Sequence, residues 1–321
     1  MKKLGNAIKG VTCFIGALLV IGHVLDVMIQ WLEHARFWRI RKQKQELRAA
    51  KKQANYDATA RRRVAIITGA SSGLGAAYAK QVAAWHRKYD VSEIWLVARR
   101  IDRLEAVAQH IDLPVQILAI DLTDDADLDI LRSELRQERE EDPNFQVSML
   151  INCAGYGIAG ASTKLGYQAE KKMIELNDRA AVAMTDMVIP YMKIGGRILE
   201  ICSIASFRPI PFFNAYASTK AFLYHYSRGL RIELMGKGIS VTAVCPYWIH
   251  DTEFVGNGDG FHFPKLSSSA DSVAKWSLRD AKLDRALSTP NIVSKGMYLM
   301  KSLVPTTIME YFMVLMRVAE R

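Results

Sequence analysis

Val64-Ala-Ile-Ile-Thr-Gly-Ala-Ser-Ser-Gly-Leu-Gly75 is the stretch whose reading decides the fold. It opens as an apolar run rich in β-branched residues, breaks into glycines, and resumes as Ala76-Ala-Tyr-Ala-Lys-Gln-Val82. That pattern predicts a strand, a tight turn and a helix. Gly69, Gly73 and Gly75 let the backbone approach a pyrophosphate, whose charge would sit against the unpaired N–H groups of the helix start. The spacing is G-x-x-x-G-x-G, not the G-x-G-x-x-G of the commoner dinucleotide fingerprint, so an ordinary strand–helix turn remains an equal reading of this motif alone. Apolar strand-like runs alternate with longer helical patterns from Val64 to about Val244. The repeat is the signature of βαβ units: an α/β fold, a Rossmann-type doubly wound parallel sheet with helices on both faces.

A second stretch, Tyr216-Ala-Ser-Thr-Lys220, puts a phenol and an ammonium four residues apart on one helical face. A phenol ionises near pH ~10, but a fixed positive charge beside it favours the phenolate and brings its proton within reach of a reacting oxygen. Many such pairs are solvated surface, so the pair needs company to mean chemistry.

Taken together, these segments resemble the short-chain dehydrogenase/reductase family, over most of the chain from Val64 to about Thr252. The match to the family's cofactor turn, Thr68 to Gly75, implies contacts at Gly69, Ser71, Ser72, Gly73, Leu74 and Gly75. Asp121, after the strand-like Val115-Gln-Ile-Leu-Ala-Ile120, matches the acidic residue that meets the adenine, with Leu122 beside it. Asn152-Cys-Ala-Gly155 stands where the family usually has Asn-Asn-Ala-Gly, which implies contacts at Asn152, Ala154 and Gly155; Cys153 is a mild departure. Asn177, Ser203, Tyr216 and Lys220 fill all four catalytic positions. The resemblance implies hydride transfer between a nicotinamide and a carbon bearing oxygen. Tyr216 would donate the proton, and Ser203 would stabilise charge on the substrate oxygen. Lys220 would lower the tyrosine pKa and hold the ribose, while Asn177 would position a water.

The family's Pro-Gly after the sixth strand becomes Pro246-Tyr-Trp-Ile-His-Asp-Thr252, with the glycine missing. Pro246, Ile249 and Thr252 are the cofactor contacts implied there, although one extra residue precedes Thr252. Tyr247 and Trp248 would stand near the nicotinamide and the substrate, as an apolar lid or, for Trp248, as core.

Cofactor choice is legible where Glu93-Ile-Trp-Leu-Val-Ala98 runs into Arg99 and Arg100 with no carboxylate at the strand end. Arginine there suits a ribose 2′-phosphate, which predicts NADP(H) over NAD(H). The expected activity interconverts a ketone and a secondary alcohol on a small lipophilic, hydroxysteroid-like substrate. The alternative is a 3-oxoacyl thioester reductase, and in another class a non-catalytic NADP-binding regulator or scaffold.

The net charge of +10 suggests nucleic acid until it is located. Of the 43 Lys/Arg and 33 Asp/Glu, residues 1–63 carry 14 and 4, leaving 29 and 29 for residues 64–321. The excess lies in an N-terminal appendage, where apolar Val11 to Leu32 is followed by basic Arg36 to Lys52. That pattern predicts a hydrophobic helix over residues 1–35 that attaches the protein to a membrane, and a basic linker over 36–63. His23, Asp26 and Gln30 form a polar stripe, so a spanning and an interfacial helix both remain open. The catalytic domain would lie in the cytoplasm, with no nucleic-acid partner.

Residues 64–321 would form the oxidoreductase domain, with a substrate lid around 247–290 and an apolar C-terminal helix. Gly256-Asn-Gly-Asp-Gly260 reads as a flexible loop, and Met297 to Pro305 and Ile308 to Val318 as Met-rich helices. Long helices expected over Gly166–Met192 and Asn214–Met235 could pair subunits into a homodimer or homotetramer. The four cysteines, Cys13, Cys153, Cys202 and Cys245, show neither disulfide nor metal spacing, and no metal is expected.

Overall fold

Strands β1 (Arg63–Thr68), β2 (Glu93–Ala98), β3 (Val115–Ala119), β4 (Gln146–Asn152), β5 (Met192–Ile201), β6 (Ser240–Val244) and β7 (Leu287–Ser288) all pair in parallel. Their order across the sheet is β3-β2-β1-β4-β5-β6-β7. This is the doubly wound arrangement predicted from the alternating pattern. The computed structural model describes residues 62–255 and 266–301, with isolated helical positions at Val20, Val24, Val27, Met28, Trp31, Ile308 and Tyr311.

Parallel strands covered on both faces need continuous apolar runs, and β1 and β2 supply them: Val64 to Ile67 and Ile94 to Val97 are fully buried. The period of two then sends alternate side chains to opposite layers. Ala65 and Ile67 face one layer with Ile94 and Leu96, packed by Leu74, Tyr78 and Val82 of α1 (Gly73–Ala84), Leu104 and Val107 of α2 (Ile101–Ala108), and further residues. Val64 and Ile66 face the other with Trp95 and Val97. There they meet Leu128, Leu131 and Leu135 of α3 (Asp125–Glu141), and Met184 and Val188, which lie beyond α4 (Tyr167–Ile174) on α5 (Ala180–Val188). Leu230 and Leu234 of α6 (Asn214–Met235) complete that layer.

The chain reverses its direction of travel across the sheet between β1 and β4. At such a switch point the loops beyond the strand C-termini diverge and leave a crevice, which is where ligands bind in open α/β sheets. Of the predicted site residues, Asn152 lies on β4, Tyr216 and Lys220 on α6, Gly73, Leu74 and Gly75 at the start of α1, Asn177 in the π turn Glu175–Arg179, and the others in the segments that follow β1 to β6.

Three expectations need correction. The helix predicted over Gly166–Met192 is broken by a π turn at Glu175–Arg179 and ends in a 3-10 turn at Ile189–Tyr191; Pro190 stops it, and Met192 already opens β5. The stretch 247–290 is not lid throughout, because α7 (Ala270–Lys282) buries Val273, Ala274, Leu278 and Ala281 in the core beside α1. The final strand, β7, is only two residues long, too short for periodicity to reveal. The linker also ends before residue 62: Arg63 begins β1, and Arg62 Nη2 donates to Glu93 Oε1 at 2.8 Å and Glu138 Oε1 at 3.0 Å.

The rest of segments 1–35 and 36–63 lies outside the described residues, as do Gly256 to Gly260 and the stretch Ile308 to Val318 apart from Ile308 and Tyr311. The apolar positions Val20, Val24, Val27, Met28 and Trp31 are exposed. Among the described residues no helix is long and apolar enough to cross a membrane. At the C-terminal side, α8 (Ile292–Met300) lies against the segment after β5 through an edge contact of Tyr298 with Phe207, at 5.4 Å between ring centroids.

Candidate active site

The turn after β1 is built for close approach. Gly69 has φ +66°, and a Cβ on Gly75 would fall 2.2 Å from the Gly69 carbonyl oxygen. Glycine is therefore required at both positions for the chain to turn this tightly. Helix α1 starts from Ser72 with no side-chain cap bond, so its first N–H groups point into the crevice as an anion site. Thr68 Oγ1 accepts from the backbone N–H groups of Cys153 and Ala154, both at 3.0 Å, which pins the end of β4 beside this turn.

Two arginines follow β2 and take different partners. Arg99 lies 3.6 Å from Asp121. Burial pushes the Asp121 carboxyl up, but hydrogen bonds from Thr123 and the Arg99 charge outweigh it and leave it below the ordinary carboxylate range. Arg100 turns toward the glycine turn, where its Nη2 donates to Ser71 Oγ at 3.1 Å and Ser72 Oγ at 3.2 Å.

The reacting end is organised by β5 and α6. Ser203 follows β5 and caps the short 3-10 turn Ile204–Phe207, its Oγ accepting from Ala205 N at 3.2 Å. Tyr216 and Lys220 sit one helical turn apart on the buried face of α6. Burial pushes the Tyr216 phenol well up, and its hydrogen bond with Ser203 offsets part of that rise. The expected lowering by Lys220 does not dominate: its Nζ is 5.8 Å from the tyrosine ring centre and donates to the Ile201 carbonyl at 2.8 Å. Burial also lowers the Lys220 pKa, opposed by Cys202, Cys153, Asp178 and Glu200.

A buried polar layer supports this pair from beneath. Glu200 on β5 accepts at Oε1 from Asn152 Nδ2 at 2.9 Å and Thr185 Oγ1 at 3.0 Å. Desolvation pushes its carboxyl up to about 7, and Asp178 reaches about 7 for the same reason, each countered by the Lys220 charge. Cys153 is pushed up to about 12 by burial, so its thiol stays protonated.

One crevice of about 580 Å³ gathers these parts, a size suited to a cofactor and part of a small substrate. All the predicted site residues line it except two. Asn152 points away, its amide donating to Glu200, Thr185 and the Ala181 carbonyl, and so clips β4 to β5 and α5. Asn177 is buried behind the wall: its Oδ1 accepts from Tyr156 N at 3.0 Å, and its Nδ2 donates to Tyr156 O at 2.9 Å and Thr219 Oγ1 at 3.0 Å. Its side chain is thus spent on holding the loop after β4 against α6. A Cβ on Gly155 would touch both Asn177 Oδ1, at 2.9 Å, and Lys220 Nζ, at 3.5 Å, so these two predicted catalytic positions lie side by side.

The outer half of the crevice is aromatic. Phe213 packs 4.4 Å from Tyr216, Phe254 packs 5.2 Å from it, and Trp248 stacks on Phe213 at 6.4 Å. Trp248 is therefore crevice wall, not core. Phe213, Phe254, Tyr156 and Ile210 were missed from sequence because apolar loop residues carry no periodicity. Glu200 left a signal, a carboxylate in the apolar strand Ile198-Leu-Glu-Ile201. No cluster of metal-ligating side chains occurs among the described residues.

The profile of the family described as short chain dehydrogenase matches residues 63–259, more than half of the chain. The chain belongs to the short-chain dehydrogenase family. A solved short-chain dehydrogenase from Sphingobium yanoikuyae in complex with NADPH is similar, with TM-score 0.63 and 30% identity, over 74% of this chain and 92% of that one. Among curated proteins, the chain is 29% identical over 225 residues to 17-beta-hydroxysteroid dehydrogenase type 3 of Mus musculus, covering 67% of this chain and 68% of that protein. It is 30% identical over 196 residues to the very-long-chain 3-oxoacyl-CoA reductase of Anas platyrhynchos, covering 58% and 59%. This short-chain dehydrogenase is thus an oxidoreductase of the class acting on CH–OH groups.

Proposed function

We propose that this short-chain dehydrogenase uses NADP(H) to interconvert a ketone and a secondary alcohol on a lipophilic, hydroxysteroid-like substrate. The observation that carries the reading is the convergence of Tyr216, Ser203 and Lys220 under an aromatic wall, beside a glycine turn with Arg100 on it. The residues present fit a phosphorylated dinucleotide: the tight turn that only glycine at 69 and 75 permits, the uncapped start of α1, and a guanidinium at the turn. When bound, the nicotinamide supplies or accepts the hydride.

Every other step belongs to the chain. The aromatic wall excludes water and holds an apolar ketone with its oxygen toward Tyr216 and Ser203. Ser203 hydrogen-bonds that oxygen as charge develops on it, and Tyr216 delivers the phenolic proton. Lys220, anchored on the Ile201 carbonyl, keeps a positive charge beside the tyrosine and would hold a ribose hydroxyl of the cofactor.

A panel of steroid ketones and 3-oxoacyl thioesters, with NADPH as reductant, tests the substrate class. Turnover of steroid ketones supports the first reading. Turnover of thioesters alone would shift it to 3-oxoacyl reduction, which the similarity to the duck reductase favours as second reading.

We also infer attachment to a membrane through the N-terminal segment, with the catalytic domain on the cytoplasmic side. The exposed apolar positions Val20, Val24, Val27, Met28 and Trp31 recur at helical spacing, and the basic run after them suits anionic lipid. Failure of the full chain to bind vesicles of neutral or anionic lipid would overturn this. A homodimer or homotetramer through α4 and α6 is supported by exposed Tyr167, Ile174, Phe222 and Ile232, and a monomer by sedimentation would refute it.

A further inference from the structure

Arg100 reaches the glycine turn, yet its charge is already engaged. Its Nη1 lies 3.4 Å from Glu253 Oε2, and Arg103 Nη1 pairs with the other oxygen, Oε1, of the same carboxylate. Glu253 opens the 3-10 turn Glu253–Val255, on the far side of the crevice mouth from β2. Its carboxyl is held below the ordinary range, first by the hydrogen bond from Arg103 and then by both guanidinium charges.

The two guanidiniums around this carboxylate, one of which also donates to Ser71 and Ser72, offer the donors and positive charge that a ribose 2′-phosphate would seek. A phosphate monoester carries close to two negative charges against one for the carboxylate, and three acceptor oxygens against two. It would therefore displace the carboxylate from an exposed pair that is itself only weakly held. We propose that Glu253 is a specificity-determining residue that occupies the Arg100/Arg103 site in place of the 2′-phosphate, so that the phosphorylated dinucleotide binds by releasing the Glu253–Val255 turn.

The consequence reaches the reacting end. Phe254, the next residue, packs 5.2 Å from the Tyr216 ring and forms part of the crevice wall. Release of Glu253 frees this aromatic from the catalytic tyrosine, so arrival of the phosphorylated cofactor opens the substrate side. Arg99 lies outside the Glu253 pair, with Asp121 as its partner at 3.6 Å.

The inference rests on the NADP(H) reading, and binding of cofactor fragments separates the two. Full-length wild type and Glu253→Gln are titrated calorimetrically with 2′,5′-ADP and with 5′-ADP at low ionic strength. Wild type that fails to prefer 2′,5′-ADP overturns the NADP(H) reading itself. Given that preference, Glu253→Gln is expected to bind 2′,5′-ADP about two- to fivefold more tightly, with 5′-ADP unchanged and the gain shrinking as salt is added. Unchanged or weaker binding of 2′,5′-ADP by the variant overturns the proposal, because Glu253 would then be absent from the site or orienting its arginines. Amide exchange in Glu253–Val255 of the wild type gives a second readout: 2′,5′-ADP raises it and 5′-ADP does not, and equal protection by both ligands would refute the release.

Discussion

Replacing Glu200 by Gln should change how stability depends on pH. Glu200 is fully buried on β5, with one oxygen accepting from Asn152 and Thr185. Its carboxyl rises from 4.5 to about 7, with burial the main cause. The folded protein therefore holds a proton that the unfolded chain releases. The stabilisation this gives is fully present below pH 4.5, falls as pH rises, and is gone above about 7. At about 1.4 kcal/mol per unit, the loss across that window is about 3 kcal/mol. Gln at this position keeps an acceptor for Asn152 and Thr185 but cannot ionise. Chemical denaturation of both proteins at a series of pH values between 4.5 and 8 reads the difference directly. Asp178, also raised to about 7, is common to the two and cancels. The stability of Glu200→Gln relative to wild type should climb with pH by about 3 kcal/mol and level off above 7. A difference that stays flat across the range would refute the account of a proton held on a buried carboxyl.

Other perturbations have sharper local causes. Gly75→Ala places a methyl 2.2 Å from the Gly69 carbonyl oxygen; overpacking of this kind costs about 1–3 kcal/mol, visible as a lowered Tm, and calorimetry should show NADPH affinity falling with it. Arg231→Ala removes the guanidinium that meets the buried Asp284 carboxylate at 2.9 Å and should cost about 3–5 kcal/mol by urea denaturation; a loss under about 1 kcal/mol would mean that other groups carry the carboxylate's charge.

The fold was legible in the sequence because parallel strands covered on both faces leave unbroken apolar runs, such as Val64 to Ile67 and Ile94 to Ala98, and because α6 carries its helical pattern from Asn214 to Met235 without a proline. Pattern failed where a single residue overrode it: Pro190 ended a helix whose periodicity continued to Met192. It failed again in the supposed lid, since the apolar face of Ala270–Lys282 reads alike whether it covers a substrate or the sheet. In the site, residue types identified the reacting set, whereas directions did not follow from them. Asn152 and Asn177 stand at the expected positions, but their amides face the protein interior, because buried backbone and side-chain groups there need partners. The influence of Lys220 on Tyr216 was overestimated for a related reason: spacing sets proximity, while burial sets the larger part of the shift.

The central claim is that Tyr216 is the proton donor, and single-turnover oxidation of bound NADPH by a reactive ketone in wild type and Tyr216→Phe tests it most directly. The hydroxyl is removed while the ring contact with Phe213 is kept. The rate should fall by about 10²- to 10⁴-fold with NADPH affinity nearly unchanged. A variant that turns over within a few-fold of wild type would contradict the account and move the proton to another group.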